Sequence, residues 1–145
     1  MLKHRPVGTA AADPMSESYP IEILIEKPVA QVYRFLAAPR NYPRWAAVDE
    51  ASFRQIGPFE WAGDTEFGPR IVRFSPPNGE GILDHAVYAA GEEPVMMPMR
   101  VAAEGAWSRV TFVFYRRPGM DDEQLASALE WIRADFAGLK SLLEI

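Results

Sequence analysis

The sequence of 145 residues contains no cysteine and only two histidines, His4 and His85. Without thiols the chain can form no disulfide and has no thiolate nucleophile. Two histidines without cysteine also disfavour a closed zinc or non-haem iron centre. We therefore expect no metal and no cofactor. The cysteine-free composition suits a reducing compartment, and we expect the protein to be cytoplasmic.

Long apolar runs and basic blocks are missing as well. No stretch approaches the roughly 20 apolar residues of a membrane-spanning helix, and the first residues lack the apolar core of a secretory signal. The formal net charge is -5, and basic residues form only short pairs such as Arg116 with Arg117, which argues against nucleic acid as a partner. Neither a nucleophile elbow nor a phosphate-binding loop motif is present.

The chain divides into a tail and one domain. Residues 1–16 are rich in alanine, proline and glycine, and we predict a flexible N-terminal tail there. Met15 is a second candidate for the native first residue. Residues 17–145 show no repeat and no change of composition, which predicts a single domain. With 48% hydrophobic residues, the chain can bury a substantial core.

The domain begins with a strand and two short helices. Ile21, Ile23 and Ile25 alternate with other residues, as in a strand with one buried face. Pro28 suits the first turn of a helix, and Pro39 ends that helix and starts a second, shorter one.

Short strands are predicted for the middle of the chain, because alternating segments are separated there by glycine and proline turns. The candidate strands are roughly residues 51–56, 65–67, 70–75, 81–89, 95–102 and 107–116. Their short connections favour antiparallel hairpins. Residues 44–64 form a long mixed segment that we expect to act as a mobile lid.

The last segment predicts one long helix. Asp121 is a good N-cap, and Gln124 stands three residues later, as in a capping box. The apolar residues of this segment recur every three or four positions: Leu125, Leu129, Ile132, Phe136, Leu139 and Leu143. The order of elements predicts an α+β fold in which a curved antiparallel sheet of about seven strands wraps around the C-terminal helix. Such a fold leaves a cavity between sheet and helices.

The amino-acid sequences of four segments strengthen this prediction: IEKPVAQVYRFLAAPRNYPRW, GILDHAVY, MMPMRV and VTFVFYRRPGMDDEQLASALEWIRADFAGLKSLLE. Together they resemble the SRPBCC superfamily, the START and Bet v 1-like helix-grip proteins, and within it the bacterial polyketide cyclase-like branch. The resemblance extends from Ser18 to the C-terminus and implies the helix-grip fold. Because this superfamily has no universal catalytic motif, the resemblance assigns no catalytic residue.

Strand parity indicates which side chains face the cavity. His85 falls on the same face as Met97 and Met99, whereas Asp84 and Arg100 fall on the outer face, where they would form a cross-strand ion pair. His85 is either a pocket residue that binds ligand or acts as a general base, or a structural histidine bonded within the sheet. The expected lining residues are Arg70, Val72, Phe74, His85, Met97, Met99, Phe112, Phe114 and Trp131.

Three functions remain open on this basis. The first is binding of a small hydrophobic or aromatic molecule, lipid- or polyketide-like, against a soft lining of methionine and phenylalanine. The second is a cyclase or isomerase in which His85 moves protons and Arg70, at the cavity mouth, pairs with an oxyanion or a ligand's carboxylate. The third is an interaction module with a filled cavity that forms a homodimer through a sheet edge.

Overall fold

A computed structural model describes residues 17–145, so the tail predicted for residues 1–16 lies outside the described residues. The helices are α1 (Val29–Ala37), α2 (Asp122–Leu143) and two 3-10 helices, Pro39–Arg44 and Glu50–Ser52. The strands are β1 (Ser18–Ile25), β2 (Arg54–Gly57), β3 (Glu60–Thr65), β4 (Gly68–Phe74), β5 (His85–Tyr88), β6 (Met99–Glu104) and β7 (Trp107–Tyr115). This order confirms the predicted α+β helix-grip architecture.

The strands form two antiparallel sheets, β1-β7-β6 and β2-β3-β4-β5. Single bridges between His85 and Met97 and between Ile82 and Arg100 join the two sheets at β5 and β6. Between these bridges the Leu83 N–H donates to the Met99 carbonyl, but the Met99 N–H donates to the Asp84 side chain and not back to Leu83, so the pairing is interrupted there. For this reason β5 and β6 are shorter than the strands predicted at residues 81–89 and 95–102.

The strand β3 differs from its prediction, which placed a strand at residues 65–67. Gly63 lies inside β3, where a built Cβ would come 2.7 Å from Cγ1 of Val48. The strand therefore needs glycine at a position where local sequence preference favours a loop. Next to it, the Phe53 ring stacks on Trp61 with ring centres 5.1 Å apart. Residues 44–64, predicted to be a mobile lid, thus form a 3-10 helix and paired strands that pack against the fold.

The helix α2 begins as predicted. The Asp121 side chain accepts a hydrogen bond from the Gln124 backbone N–H (2.7 Å), and the Gln124 side chain accepts one from the Asp121 N–H (2.9 Å). These two bonds are the capping box. Most of the predicted apolar stripe is buried in the main core, namely Leu125, Leu129, Phe136 and Leu139.

In the part of the chain that the structure describes, no helix is both long and apolar enough to cross a lipid bilayer. The same residues contain no group of three or more histidine, aspartate or glutamate side chains placed to hold a metal ion. What the fold does create is a space between the curved sheet and α2.

Candidate ligand-binding cavity

A narrow chamber lies between the sheet, α2 and the 3-10 helix Pro39–Arg44, with a volume of about 160 Å³. Its walls are mainly apolar and include the rings of five aromatic residues: Tyr42, Trp45, Phe112, Phe114 and Phe136. The chamber adjoins a wider recess of about 920 Å³, which we call the mouth. The two spaces meet along five shared wall residues: Tyr42, Ala46, Val87, Arg117 and Asp135.

The predicted lining residues fall into four groups. His85, Met97, Phe112 and Phe114 line the chamber. Behind the chamber, Phe74 and Met99 meet His85 around a void of about 20 Å³.

Arg70 and Trp131 stand at the mouth, away from the chamber. The Arg70 side chain donates to the Pro69 carbonyl (2.8 Å). Val72 is buried in β4 but lines neither the chamber nor the mouth. The structure therefore separates the predicted pair of His85 and Arg70.

His85 is positioned by the bridge to Met97, where the two backbones exchange hydrogen bonds of 3.2 and 2.9 Å. Its Nδ1 lies 3.1 Å from the Leu83 carbonyl oxygen. Because a carbonyl only accepts, Nδ1 carries the hydrogen and Nε2 of the neutral ring is an acceptor. One ring nitrogen is thus bonded within the sheet, as the structural interpretation of His85 predicted, and a role in binding ligand stays a prediction.

The Nε2 atom of His85 has no hydrogen-bond partner among residues 17–145. In those residues no fully buried side-chain nitrogen or oxygen lacks a partner, so Nε2 keeps some exposed surface, and the residue lines the chamber. Burial lowers the pKa of His85, although the Leu83 carbonyl and the charge of Asp84 oppose this effect. The ring is therefore neutral at pH 7 and carries a basic nitrogen in a residue that lines the chamber.

Asp135 is an acidic side chain on the cavity-facing side of α2. It lines the passage where the chamber meets the mouth. It forms no ion pair or hydrogen bond with the described residues, and burial alone raises its pKa from the ordinary 3.8 to about 6. A carboxylate that loses hydration and gains no partner is costly, which marks this position as a candidate binding group.

Tyr42 places a third polar group in the chamber. Its ring packs against His85 (5.7 Å between ring centres), Phe74 (5.5 Å) and Trp45 (5.2 Å). Burial, and to a smaller extent the charge of Asp135, raise the pKa of Tyr42 above its ordinary value. The hydroxyl stays protonated at neutral pH and can donate a hydrogen bond.

An aromatic contact narrows the mouth. Phe67, at the tip of the β3–β4 hairpin, lies 5.4 Å from Trp131 of α2 between ring centres. Both residues are exposed, at 67% and 36%. The mouth also carries charges of both signs, from Glu66, Arg70, Arg117 and Glu123 among others.

Sequence reasoning missed the two polar groups that accompany His85. Tyr42 is not among the predicted lining residues, since nothing local in the sequence shows what its hydroxyl faces. Asp135 had a usable signal, because it stands three residues after Ile132 and four before Leu139. That spacing puts an acid on the apolar face of α2, where a charged residue is unusual.

The outer face of the same strands behaves as the sequence predicted. The Arg100 guanidinium contacts the Asp84 carboxylate in a partly exposed ion pair. Asp84 also accepts a hydrogen bond from the Met99 backbone N–H (2.9 Å). The pair is therefore part of the sheet's outer surface and lies outside the cavity.

Solved structures share this architecture over most of the chain. The Aha1 dimer from Colwellia psychrerythraea, a solution structure, matches with a TM-score of 0.70 and 13% identity over 89% of this chain and 97% of that one. Ara h 8.0201 matches with a TM-score of 0.65 and 12% identity over 88% of this chain and 97% of that one. The di-domain ARO/CYC BexL from the BE-7585A biosynthetic pathway matches with a TM-score of 0.61 and 20% identity over 86% of this chain and 45% of that one.

These likenesses define the class of protein. The chain has the Bet v 1/SRPBCC-like helix-grip fold, as the sequence resemblance predicted. No protein-family model matches the sequence, and no curated protein is similar to it. Identities of this size show the fold alone, so any function has to be argued from the cavity.

Proposed function

We propose that the protein binds a small hydrophobic or aromatic molecule, lipid- or polyketide-like, in the cavity between the sheet and α2. The observation that carries this proposal is a mainly apolar chamber that adjoins a wider mouth. Concave apolar sites with a few converging polar groups are typical of ligand pockets. Here the polar groups are His85, Tyr42 and Asp135.

The expected affinity follows from the apolar area removed from water. An aromatic group that buries about 200 Å² gains about 5 kcal/mol at roughly 25 cal/mol per Å². Association costs of several kcal/mol oppose this gain. Tight binding therefore requires that the ligand also satisfy the polar groups of the chamber.

The test is native mass spectrometry of the purified protein, followed by titration with naphthylmethanol monitored by tryptophan fluorescence. Met97→Trp fills the chamber, and we expect it to abolish binding. Met96→Trp is the matched control, because Met96 lines neither the chamber nor the mouth. If the folded wild-type protein carries no ligand and binds no apolar probe, the proposal is wrong.

A second function is favoured by one observation, namely that His85, Tyr42 and Asp135 surround the same chamber. A cyclase or isomerase step would begin with removal of a proton from the carbon next to a ketone. Nε2 of His85 would take the proton, and the electron pair would move onto the carbonyl oxygen, to which the Tyr42 hydroxyl would donate a hydrogen bond. Tyr42 shares the chamber with His85, which Arg70 does not, so Tyr42 replaces Arg70 as the oxyanion partner in this proposal.

This second function is tested by deuterium exchange at the methyl group of methyl naphthyl ketone in D2O, followed by NMR. We expect wild-type protein to accelerate exchange and His85→Gln to remove the acceleration while still binding the ketone. Equal exchange rates for the two proteins would contradict a role for His85.

The third function, an interaction module with a closed cavity, stays a prediction. A homodimer stays a prediction, and the similar Aha1 protein was solved as a dimer. Measurement of mass in solution over a range of protein concentrations tests it. The cytoplasmic location and the lack of a cofactor also stay predictions.

A further inference from the structure

The charged groups of the inner chamber are few. Within the described residues, its wall contains one acidic side chain, Asp135, and one arginine, Arg117. Arg117 donates a hydrogen bond to the Val87 carbonyl (3.3 Å), so part of its donor capacity is used by the protein. Asp135 has no partner among residues 17–145. Asp135 is therefore an acidic group in the chamber wall whose hydrogen-bonding capacity the described residues leave unused.

We infer that the ligand carries a basic amine beside an aromatic or alicyclic ring, with the ammonium group paired to the Asp135 carboxylate and the ring in the chamber. This inference rests on the proposed binding function and names the class of ligand. An ammonium ion would supply the opposite charge and the hydrogen-bond donors that Asp135 lacks. It would also reduce the cost of holding a dehydrated carboxylate at this position.

The surroundings of Asp135 favour a cation over an anion. The chamber wall includes aromatic rings, whose faces attract cations. Along the mouth and chamber the acidic residues Glu66, Glu123 and Asp135 outnumber the basic residues Arg70 and Arg117. The formal net charge of the chain, -5, has the same sign. A ligand carboxylate placed next to Asp135 would be repelled by its charge.

The size of the chamber limits the ligand's ring. Its volume of about 160 Å³ is close to that of an engineered apolar cavity of about 150 Å³ that binds benzene. The chamber therefore takes about one aromatic ring, and anything larger extends past Asp135 into the mouth. An arylalkylamine places its nitrogen at this boundary when its ring is inside.

The test compares three probes that share one benzene ring: benzylamine, benzyl alcohol and benzoate. Binding is measured by isothermal titration calorimetry at neutral pH to wild-type protein, Asp135→Asn and Glu130→Gln. Glu130 is an exposed acid on the same helix that lines neither space, so Glu130→Gln controls for the loss of one negative charge. Asp135→Ser, checked by circular dichroism, is a second variant without the carboxylate.

We expect wild-type protein and Glu130→Gln to bind the amine at least about tenfold more tightly than the alcohol, a ratio that corresponds to about 1.4 kcal/mol. Benzoate should bind most weakly. In both Asp135 variants the amine and the alcohol should bind equally. The inference is overturned if the alcohol binds and the amine has no advantage, or if the advantage survives in the Asp135 variants. If none of the three probes binds the folded wild-type protein, the proposed binding function fails as well.

Discussion

Replacing Asp135 by asparagine should stabilise the ligand-free protein at neutral pH. The substitution keeps the size of the side chain and removes a charge that burial disfavours. In the folded protein burial raises the pKa of Asp135 from 3.8 to about 6, whereas the unfolded chain keeps the ordinary value. The ionised carboxyl therefore destabilises the fold, in contrast to a carboxylate held by an ion pair.

The magnitude follows from linkage. At about 1.4 kcal/mol for each unit of pKa, the difference between 3.8 and about 6 sets an upper limit of about 3 kcal/mol. The carboxyl is only partly buried, so solvent screening reduces the effect, and we expect a gain of about 1 kcal/mol. For a domain of this size, such a gain raises the Tm by about 3 °C.

The direction in which stability changes with pH follows from the two pKa values of Asp135. Between the two pKa values the folded state binds more protons than the unfolded state, so wild-type stability falls as the pH rises from about 4 to about 6. The gain from Asp135→Asn should grow over this range and stay constant above about pH 7. Near Asp135, burial raises the pKa of Tyr42, which stays protonated over this range, and burial lowers the pKa of His85.

The assay is urea unfolding of the two proteins at about pH 4.5 and pH 7.5, with Glu130→Gln as the control. At the lower pH the gain should be about one third of its value at the higher pH. No gain at pH 7.5, or an equal gain at both pH values, would refute the conclusion that Asp135 is held in the cavity without a partner. A gain that disappears when an amine ligand is bound would support the paired role.

Three further predictions concern the fold and the chamber. Gly81 has a φ of +71°, and an added Cβ would lie 2.2 Å from a backbone oxygen of the neighbouring strand, so Gly81→Ala should lower the free energy of unfolding in urea by about 2 kcal/mol or more. An added Cβ at Gly79 would have nothing within 4 Å, so Gly79→Ala should cost far less. Equal costs for the two variants would contradict the packing argument. Ser108 is fully buried and donates to the Lys27 carbonyl (2.8 Å), so Ser108→Ala should lower the unfolding free energy by about 1–3 kcal/mol; an unchanged midpoint would show that the bond adds nothing. Long-range nitrogen NMR should find His85 as the Nδ1–H tautomer with a pKa below 6.5. The contribution of the neutral ring to stability should then be lost as the pH falls below that value. A pKa at or above 6.5 would contradict the burial of the ring.

Local sequence rules succeeded where the physical cause is itself local. The capping box of Asp121 and Gln124 needs only residues three apart in the chain. The orientation of His85 toward the chamber follows from strand parity, because His85 and its cross-strand neighbour Met97 lie on the same face of the sheet. The strand β3 was misplaced because Gly63 weakens the local strand signal, while the reason for a glycine there is the approach of Val48 from a distant part of the chain.

The sequence by itself determined the α+β architecture, the long capped helix and the apolar character of the space beneath it. These features depend on hydrophobic periodicity and on turn residues, which are local properties of the sequence. Only the tertiary structure decided which polar groups share the chamber. Tyr42, His85 and Asp135 come from a 3-10 helix, a strand and the last helix, and their proximity depends on how the sheet curves around α2. The same packing removes Asp135 from water without supplying a partner, and desolvation of that kind cannot be read from neighbours in sequence.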